Sequence, residues 1–356
     1  MRTIDLHPLS IRTSVLGFGC ASLGSRIDES NGLAALERAF AKGVSWYDVA
    51  PSYGDGQGEN ILSKFLARHR DSVTVCTKVG FVPNKPFGPI AAVKPLLRKM
   101  VELAPGLRAT IRRLRPPSAV RLPLSGHTIK ASLAGSLHRL GIGYLDVLAL
   151  HEPDPADVLR EDVIRALEDV VAAGDVRYIS IAGSTEAVLA ARAAGVPVSI
   201  AQVANNPFER NIAALRAALG PQQPLPIITH STYGVAGARE KLERLIKTDS
   251  SVRDRLAAAG YSGEPGAVVG AALLDYALAS NDKGVILVSM LQERHLVANA
   301  ARADREPNAS VVSLIEGLSD RLGKEAARSV VARTPRAVAL AAHGPRPRHV
   351  PRRNSM

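Results

Sequence analysis

Cysteine is nearly absent: Cys20 and Cys76 are the only two in 356 residues. Both sit in apolar contexts, at no spacing that suits a metal. That argues against a disulfide scaffold or a thiolate zinc site and fits a reducing compartment. Aromatics make up only 4% of the chain, so alanine and valine must carry much of the packing. No apolar run reaches membrane-spanning length; the best, Ala267 to Ala279, is interrupted by Asp275. The opening Met1-Arg2-Thr3-Ile4-Asp5-Leu6-His7 lacks the apolar centre of a secretory signal. These absences together predict a soluble, cytoplasmic protein. The glycine-rich first turn of a doubly wound nucleotide-binding sheet is missing too.

What the chain does have is an apolar content of 46% and a net charge of +12. The charge is uneven. Residues 82–130 hold ten Lys/Arg against Glu102 alone, and residues 321–356 hold nine against Glu325 alone. Basicity therefore belongs to two segments, and the remainder of the chain is mildly acidic. Such segments suit anionic substrates, a nucleotide phosphate, membrane headgroups or nucleic acid, or form a merely solvated basic surface. Neither a recognised nucleic-acid motif nor interleaved aromatics accompanies them, so no specific nucleic-acid partner is expected.

The organising stretch is Val44 to Gly54, a short buried strand followed by a loop, with Asp48 at the strand end and Tyr53 just beyond it. Strands are expected at 11–18, 44–49, 73–78, 144–150, 176–181, 198–203, 225–230 and 284–289. Helices are expected between them, for instance 32–42, where Leu33, Leu36 and Phe40 share a face. Eight strands alternating with helices over residues 1–305 predict an α/β fold, a (β/α)8 TIM barrel; an open doubly wound sheet is the runner-up. A proline-broken, basic insertion at 81–128 follows the third strand, with short helices expected at 94–103 and 107–114. Its length suggests a lid or binding loop over the mouth, or else a disordered segment. Residues 306–356 are expected to form a helix, near 311–328, and then a largely disordered basic tail.

In such a barrel all strand C-termini share one face, where catalysis occurs. Asp48, Tyr53, Lys78 and His151 all fall at or just past those ends. In Tyr47-Asp48-Val49-Ala50-Pro51-Ser52-Tyr53-Gly54, Gly58-Glu59, Thr77-Lys78, Tyr144-Leu145-Asp146-Val147 with Leu150-His151-Glu152-Pro153-Asp154-Pro155, and Gly174-Asp175-Val176-Arg177-Tyr178-Ile179, the chain resembles the aldo-keto reductases. The resemblance implies an NAD(P)-dependent oxidoreductase moving a hydride between nicotinamide and a small carbonyl or alcohol. It makes Tyr53 the general acid/base, Lys78 its tuner, Asp48 the anchor of Lys78, and His151 the group that orients the carbonyl oxygen. The chemistry agrees: a free phenol has a pKa of about 10, poorly matched to neutral pH, and a nearby ammonium should lower it.

On the cofactor side the resemblance assigns Gln202, His230, Ser231, Ser289, His295 and Asn299. It also exposes departures. Ala182-Gly183 stands where relatives commonly show Ser-Asn, leaving Ser180 or Ser184 as substitutes, and His230 replaces a stacking tyrosine. The resemblance implies NADPH as the cofactor, but Ser289 and His295 stand where relatives carry the Lys/Arg that hold a 2′-phosphate, so NADH is a live alternative. No metal is expected. Arg108, Arg112, Arg113 and Arg115 in the insertion suit an anionic substrate. Two other readings stand beside this one. One is a glycoside hydrolase using Asp48 and Glu152, which leaves Tyr53 and Lys78 without roles. The other is a non-catalytic nucleotide-binding regulatory subunit of the same family.

Overall fold

The computed structural model describes residues 1–84, 119–220, 224–234, 237–306 and 309–333. Its centre is a closed ring of eight parallel strands: β3 (Leu16–Gly19), β4 (Trp46–Asp48), β5 (Thr74–Val79), β8 (Leu145–His151), β9 (Val176–Ala182), β10 (Val198–Asn206), β12 (Ile227–His230) and β13 (Val285–Val288). Strand β10 pairs with both β9 and β12, so the ring has no open edge. Its end also carries a short antiparallel partner, β11 (Glu209–Arg210). The sheet is therefore a closed barrel and not the doubly wound alternative.

The first expected strand divides in two. Arg12–Ser14 (β2) pairs antiparallel with Thr3–Asp5 (β1), and only Leu16–Gly19 enters the barrel. The split is made at Val15, whose N–H donates to Arg2 O at 3.0 Å. Leu6 and Ile11, in the connection between β1 and β2, join the interior cluster of Trp46, Cys76, Val147 and Ile200. This hairpin packs its apolar residues into the core, a role that the sequence pattern did not reveal. Gly17 is small for a reason: a Cβ there would sit 2.6 Å from Leu287 and 2.9 Å from Trp46.

Period-two alternation sorts each strand. Ile179 and Ile181 face the helices, and Ala182 faces the interior. The same parity aims Trp46 and Asp48, Cys76 and Lys78, Ala149 and His151, and Ile200 and Gln202 inward. The outer layer includes α1 (Glu29–Ala41), α2 (Gly58–His69), α3 (Gly126–Leu140), α4 (Glu161–Ala172), α5 (Thr185–Ala193) and α6 (Asn211–Leu219). Local signals set their ends: Asp28 and Ser184 cap α1 and α5, and left-handed Gly141 stops α3. The loose helical stretch expected at 235–259 is two helices, α7 (Ala238–Thr248) and α8 (Ser250–Ala258), because Asp249 accepts from Ser251 N and Val252 N and starts a new helix.

The expected insertion is bracketed by a short hairpin of β6 (Phe81–Pro83) and β7 (Ala119–Arg121), with Phe81 opposite Arg121. Its two expected helices lie outside the described residues, as do its arginines at 108, 112, 113 and 115. Beyond α9 (Pro265–Ser280) and α10 (Glu293–Ala303), helix α11 (Ala309–Arg333) packs on α7–α9, burying Val311, Ile315 and Leu318. Each such side chain contributes roughly 1.5–3 kcal/mol. Arg210 ties this helix down, donating to Asp320 Oδ1 at 2.7 Å and Ser319 Oγ at 3.0 Å. The tail 334–356 lies outside the described residues. No described helix is long and apolar enough to cross a membrane.

Candidate active site

Strand β4 ends at Asp48, and the chain then turns sharply to place Tyr53. Tyr53 N donates to Ala50 O at 3.0 Å. Gly54 follows at φ 61°, where a Cβ would lie 1.8 Å from Leu23 O, so only glycine fits. Helix α2 begins at Gly58, whose missing side chain lets it abut Tyr53. The phenol is thus held between a turn and a helix start.

Four strand ends bring the remaining groups together. Lys78 Nζ donates to Asp48 Oδ1 and approaches Val49 O at 3.4 Å. Both side chains of this ion pair are only 3% exposed. Gln202 Nε2 donates to the other Asp48 oxygen, Oδ2, at 3.0 Å. The Lys78 ammonium lies 5.2 Å from the centre of the Tyr53 ring. His151 meets that ring edge-on at 6.2 Å, and Phe81 packs on its other side at 5.0 Å. His230 also belongs to this group, since it feels the charges of both Lys78 and Asp48. It meets Ser231 Oγ at 2.9 Å, with Ser231 at φ 60°.

Electrostatics follow from burial. Burial works to lower the Lys78 pKa, but Asp48, with Tyr53 and Cys76 behind it, outweighs this, and the net direction is up. Lys78 is an ammonium. Burial pushes the Tyr53 phenol above the usual tyrosine range, and Lys78 only partly reverses this. From the sequence a net lowering was expected; desolvation of the phenolate wins instead, and Tyr53 is a protonated donor. Burial, reinforced by Lys78 and His230, brings His151 down to about 3, so its imidazole is neutral.

The other assigned residues lie apart from this cluster. Ser289, past the end of β13, donates to Gly19 O at 3.3 Å. His295 and Asn299 are on α10; Asn299 hydrogen-bonds Tyr233, and His295 is exposed near Arg294 and Arg239. Ser184 is occupied by its cap on α5, whereas the buried Ser180 hydroxyl has no partner. Within the Ala182-Gly183 departure, space at Gly183 is tight. A Cβ at Gly183 would lie 3.2 Å from both Glu152 Cα and Pro153 Cδ, so the loop after β8 crowds this position.

Sequence reasoning missed two supports. Phe81, three residues past Lys78, walls His151. Glu59, buried against β5, accepts from Thr77 Oγ1 at 2.7 Å and from Arg139 Nε at 2.6 Å, clamping the residue beside Lys78. Proximity to Lys78 was the available signal for Phe81; for Arg139 there was none. The hydrolase reading fails on Asp48, because both carboxylate oxygens are taken by Lys78 and Gln202 and neither is free to serve as acid or base. Among the described residues, no group of three or more His, Cys, Asp or Glu is placed to hold a metal ion.

A closed eight-stranded parallel barrel, with a phenol, an ammonium, a carboxylate and an imidazole gathered at its mouth, is the architecture of a barrel enzyme. The family follows from comparison: residues 15–320 match the model of the aldo/keto reductase family, and the chain belongs to it. Among curated relatives, it is 33% identical over 174 residues to a D-threo-aldose 1-dehydrogenase of a Pseudomonas species, covering 47% of this chain and 49% of that protein. It is 31% identical over 189 residues to versiconal hemiacetal acetate reductase of Aspergillus parasiticus, covering half of each. The chain thus spans about half the length of these relatives. Its fold is shared with a holo-form aldo-keto reductase of Bacillus halodurans, at TM-score 0.66 and 19% identity over 89% of this chain and 96% of that one. A Klebsiella pneumoniae aldo-keto reductase in complex with NADPH aligns at TM-score 0.64 and 20% identity over 89% and 95% of the two chains.

Proposed function

We propose that this chain is a nicotinamide-dependent oxidoreductase that interconverts small carbonyls and alcohols, with Tyr53 as the acid/base. One observation carries it: the Asp48-anchored Lys78 ammonium lies beside the Tyr53 ring, and a neutral His151 meets that ring edge-on. NADPH, when bound, supplies the hydride to the carbonyl carbon. Tyr53 gives its proton to the carbonyl oxygen as that oxygen gains charge. Lys78 stabilises the phenolate left behind, and Asp48 keeps the ammonium in place. His151, being neutral, orients the carbonyl oxygen through an N–H without adding a charge that would compete with Lys78. Run in reverse, the same groups take a proton from an alcohol.

The residues at the mouth suit a planar polar ring. His151 Nδ1, Ser180 Oγ and Thr232 Oγ1 are buried without hydrogen-bond partners, and such atoms call for a ligand or water. Ser180 is then the hydroxyl that remains where relatives carry Ser-Asn. NADPH is the cofactor we expect, in keeping with the NADPH-bound Klebsiella relative; Arg294 is a cation near His295, whereas Arg239 beside it is paired with Glu243.

The decisive experiment measures NADPH and NADH affinity by nucleotide fluorescence, then turnover of aldehydes, ketones and sugars with the tighter cofactor. Tyr53→Phe should abolish turnover and leave the cofactor bound. Turnover retained in that variant contradicts the role given to Tyr53. Binding without any turnover in the unmodified chain would favour the regulatory-subunit reading.

A further inference from the structure

The contact between Gln202 and Asp48 joins opposite sides of the barrel. Around the ring, β10 and β4 are separated by four strand steps in either direction. The bond therefore crosses the bore, linking residues 154 apart in sequence at 3.0 Å. Both residues are 2% exposed, so water does not compete for it. A buried carboxylate that accepts from two directions has its plane fixed. Here one direction is the Lys78 ammonium and the other is the Gln202 amide.

We propose that Gln202 is a positioning residue for proton transfer: it locks the Asp48 carboxylate, which aims the Lys78 ammonium at Tyr53. The family resemblance assigns the Gln202 amide to the cofactor, but one amide N–H is already spent on Asp48. Without that donor, Asp48 loses the partner that reaches it from across the bore and is held only from β5, by Lys78 and Cys76, so the carboxylate can turn. Lys78 would follow it, toward Val49 O at 3.4 Å on the backbone and away from the phenol with which it is hydrogen-bonded. The charged or titratable groups around Asp48 are Lys78, Tyr53, Cys20, Cys76 and His230, with His151 beyond Lys78. Among them Cys76 is also a side-chain hydrogen-bond partner of Asp48, but the Gln202 amide is the donor that reaches Oδ2 from across the bore. This inference rests on the oxidoreductase reading above.

The test compares Gln202→Met, which keeps the length but has no donor, with Gln202→Glu, which donates only when protonated. At saturating NADPH, Gln202→Met should lose about ten- to a hundredfold in kcat, the equivalent of one buried hydrogen bond to a charged group. Its NADPH dissociation constant is measured alongside, so that any share of the amide that serves the cofactor is read apart from the loss at saturation. Its pH profile for alcohol oxidation should move to higher pH, since an uncompensated Asp48 disfavours the phenolate. Gln202→Glu should recover activity as the pH falls and the new carboxyl gains its proton; Gln202→Met should not. An unchanged kcat with weakened NADPH binding would overturn the proposal and return Gln202 to the cofactor. So would a kcat loss with no movement of the pH profile and no low-pH rescue. If the unmodified chain turns nothing over, the underlying reading fails, and the Tyr53 ionisation decides separately. Alkaline absorbance titration isolates that ionisation as the difference made by Tyr53→Phe, measured once in the unmodified chain and once alongside Gln202→Met. The Tyr53 curve should lie at higher pH when Gln202 is replaced; coincident curves would refute the positioning role.

Discussion

The ion pair beneath Tyr53 can be tested through stability alone, by a double-mutant cycle of Asp48→Asn and Lys78→Met. Both side chains are 3% exposed, so each single change strands a partner that water cannot reach. Breaking a buried pair from one side costs about 3–5 kcal/mol, because an uncompensated charge remains. The double variant leaves no charge to strand. Met fits the aliphatic path of Lys78, and an Asn carbonyl still accepts from Gln202. It should therefore be destabilised well below the sum of the singles, giving a coupling of about 2 kcal/mol or more. Urea denaturation near neutral pH reads all four corners. Additivity to within about 0.5 kcal/mol would refute the pairing. The same cycle has a pH arm. Folded Lys78 holds its proton more tightly than unfolded lysine, so the stabilisation is complete below lysine's ordinary 10.5 and is lost as the pH climbs beyond it. Lys78→Met should remove that part of the alkaline loss.

Two further changes probe the walls of the site. His151 carries a folded pKa of about 3 against an ordinary 6.5, so its share of stability is present above 6.5 and is lost as the pH falls toward 3. The steepest loss it can cause is about 1.4 kcal/mol per pH unit, less whatever solvent screens at this partly buried ring. His151→Gln should flatten the acid limb of urea midpoints; an unchanged limb, or an imidazole titrating near 6.5 by NMR, would show that the ring is not held neutral. At Gly54, φ 61° and a Cβ 1.8 Å from Leu23 O mean that alanine must displace the Tyr53 turn. Gly54→Ala should lower stability by about 1–3 kcal/mol from backbone strain alone and reduce kcat more than NADPH affinity. A variant with full turnover would mean that the turn does not place Tyr53.

How far the sequence reaches depends on whether a feature is periodic or three-dimensional. Alternation of strand and helix predicted the ring, and inward parity needed only the pleat, so Asp48, Lys78, His151, Gln202 and His230 were legible as residues of one face. The split at Val15 was not, because a buried apolar run reads alike as one barrel strand or as a bottom hairpin plus a shorter strand. Nor was the sign of the Tyr53 shift. Spacing says that an ammonium is near, but only coordinates say how much water has been removed, and here removal outweighs the charge. The Ala182-Gly183 departure shows the same division. In the sequence it is a lost pair of polar groups. In the structure the loop after β8 lies close against Gly183, so a side chain there would have to push it aside by a few tenths of an ångström, and Ser180, earlier on β9, is a buried hydroxyl without a partner. Gln202 is the extreme case. Its partner lies across the bore of the barrel, 154 residues away, so no local pattern can announce it, and only closure of the ring makes a carboxylate on β4 and an amide on β10 neighbours.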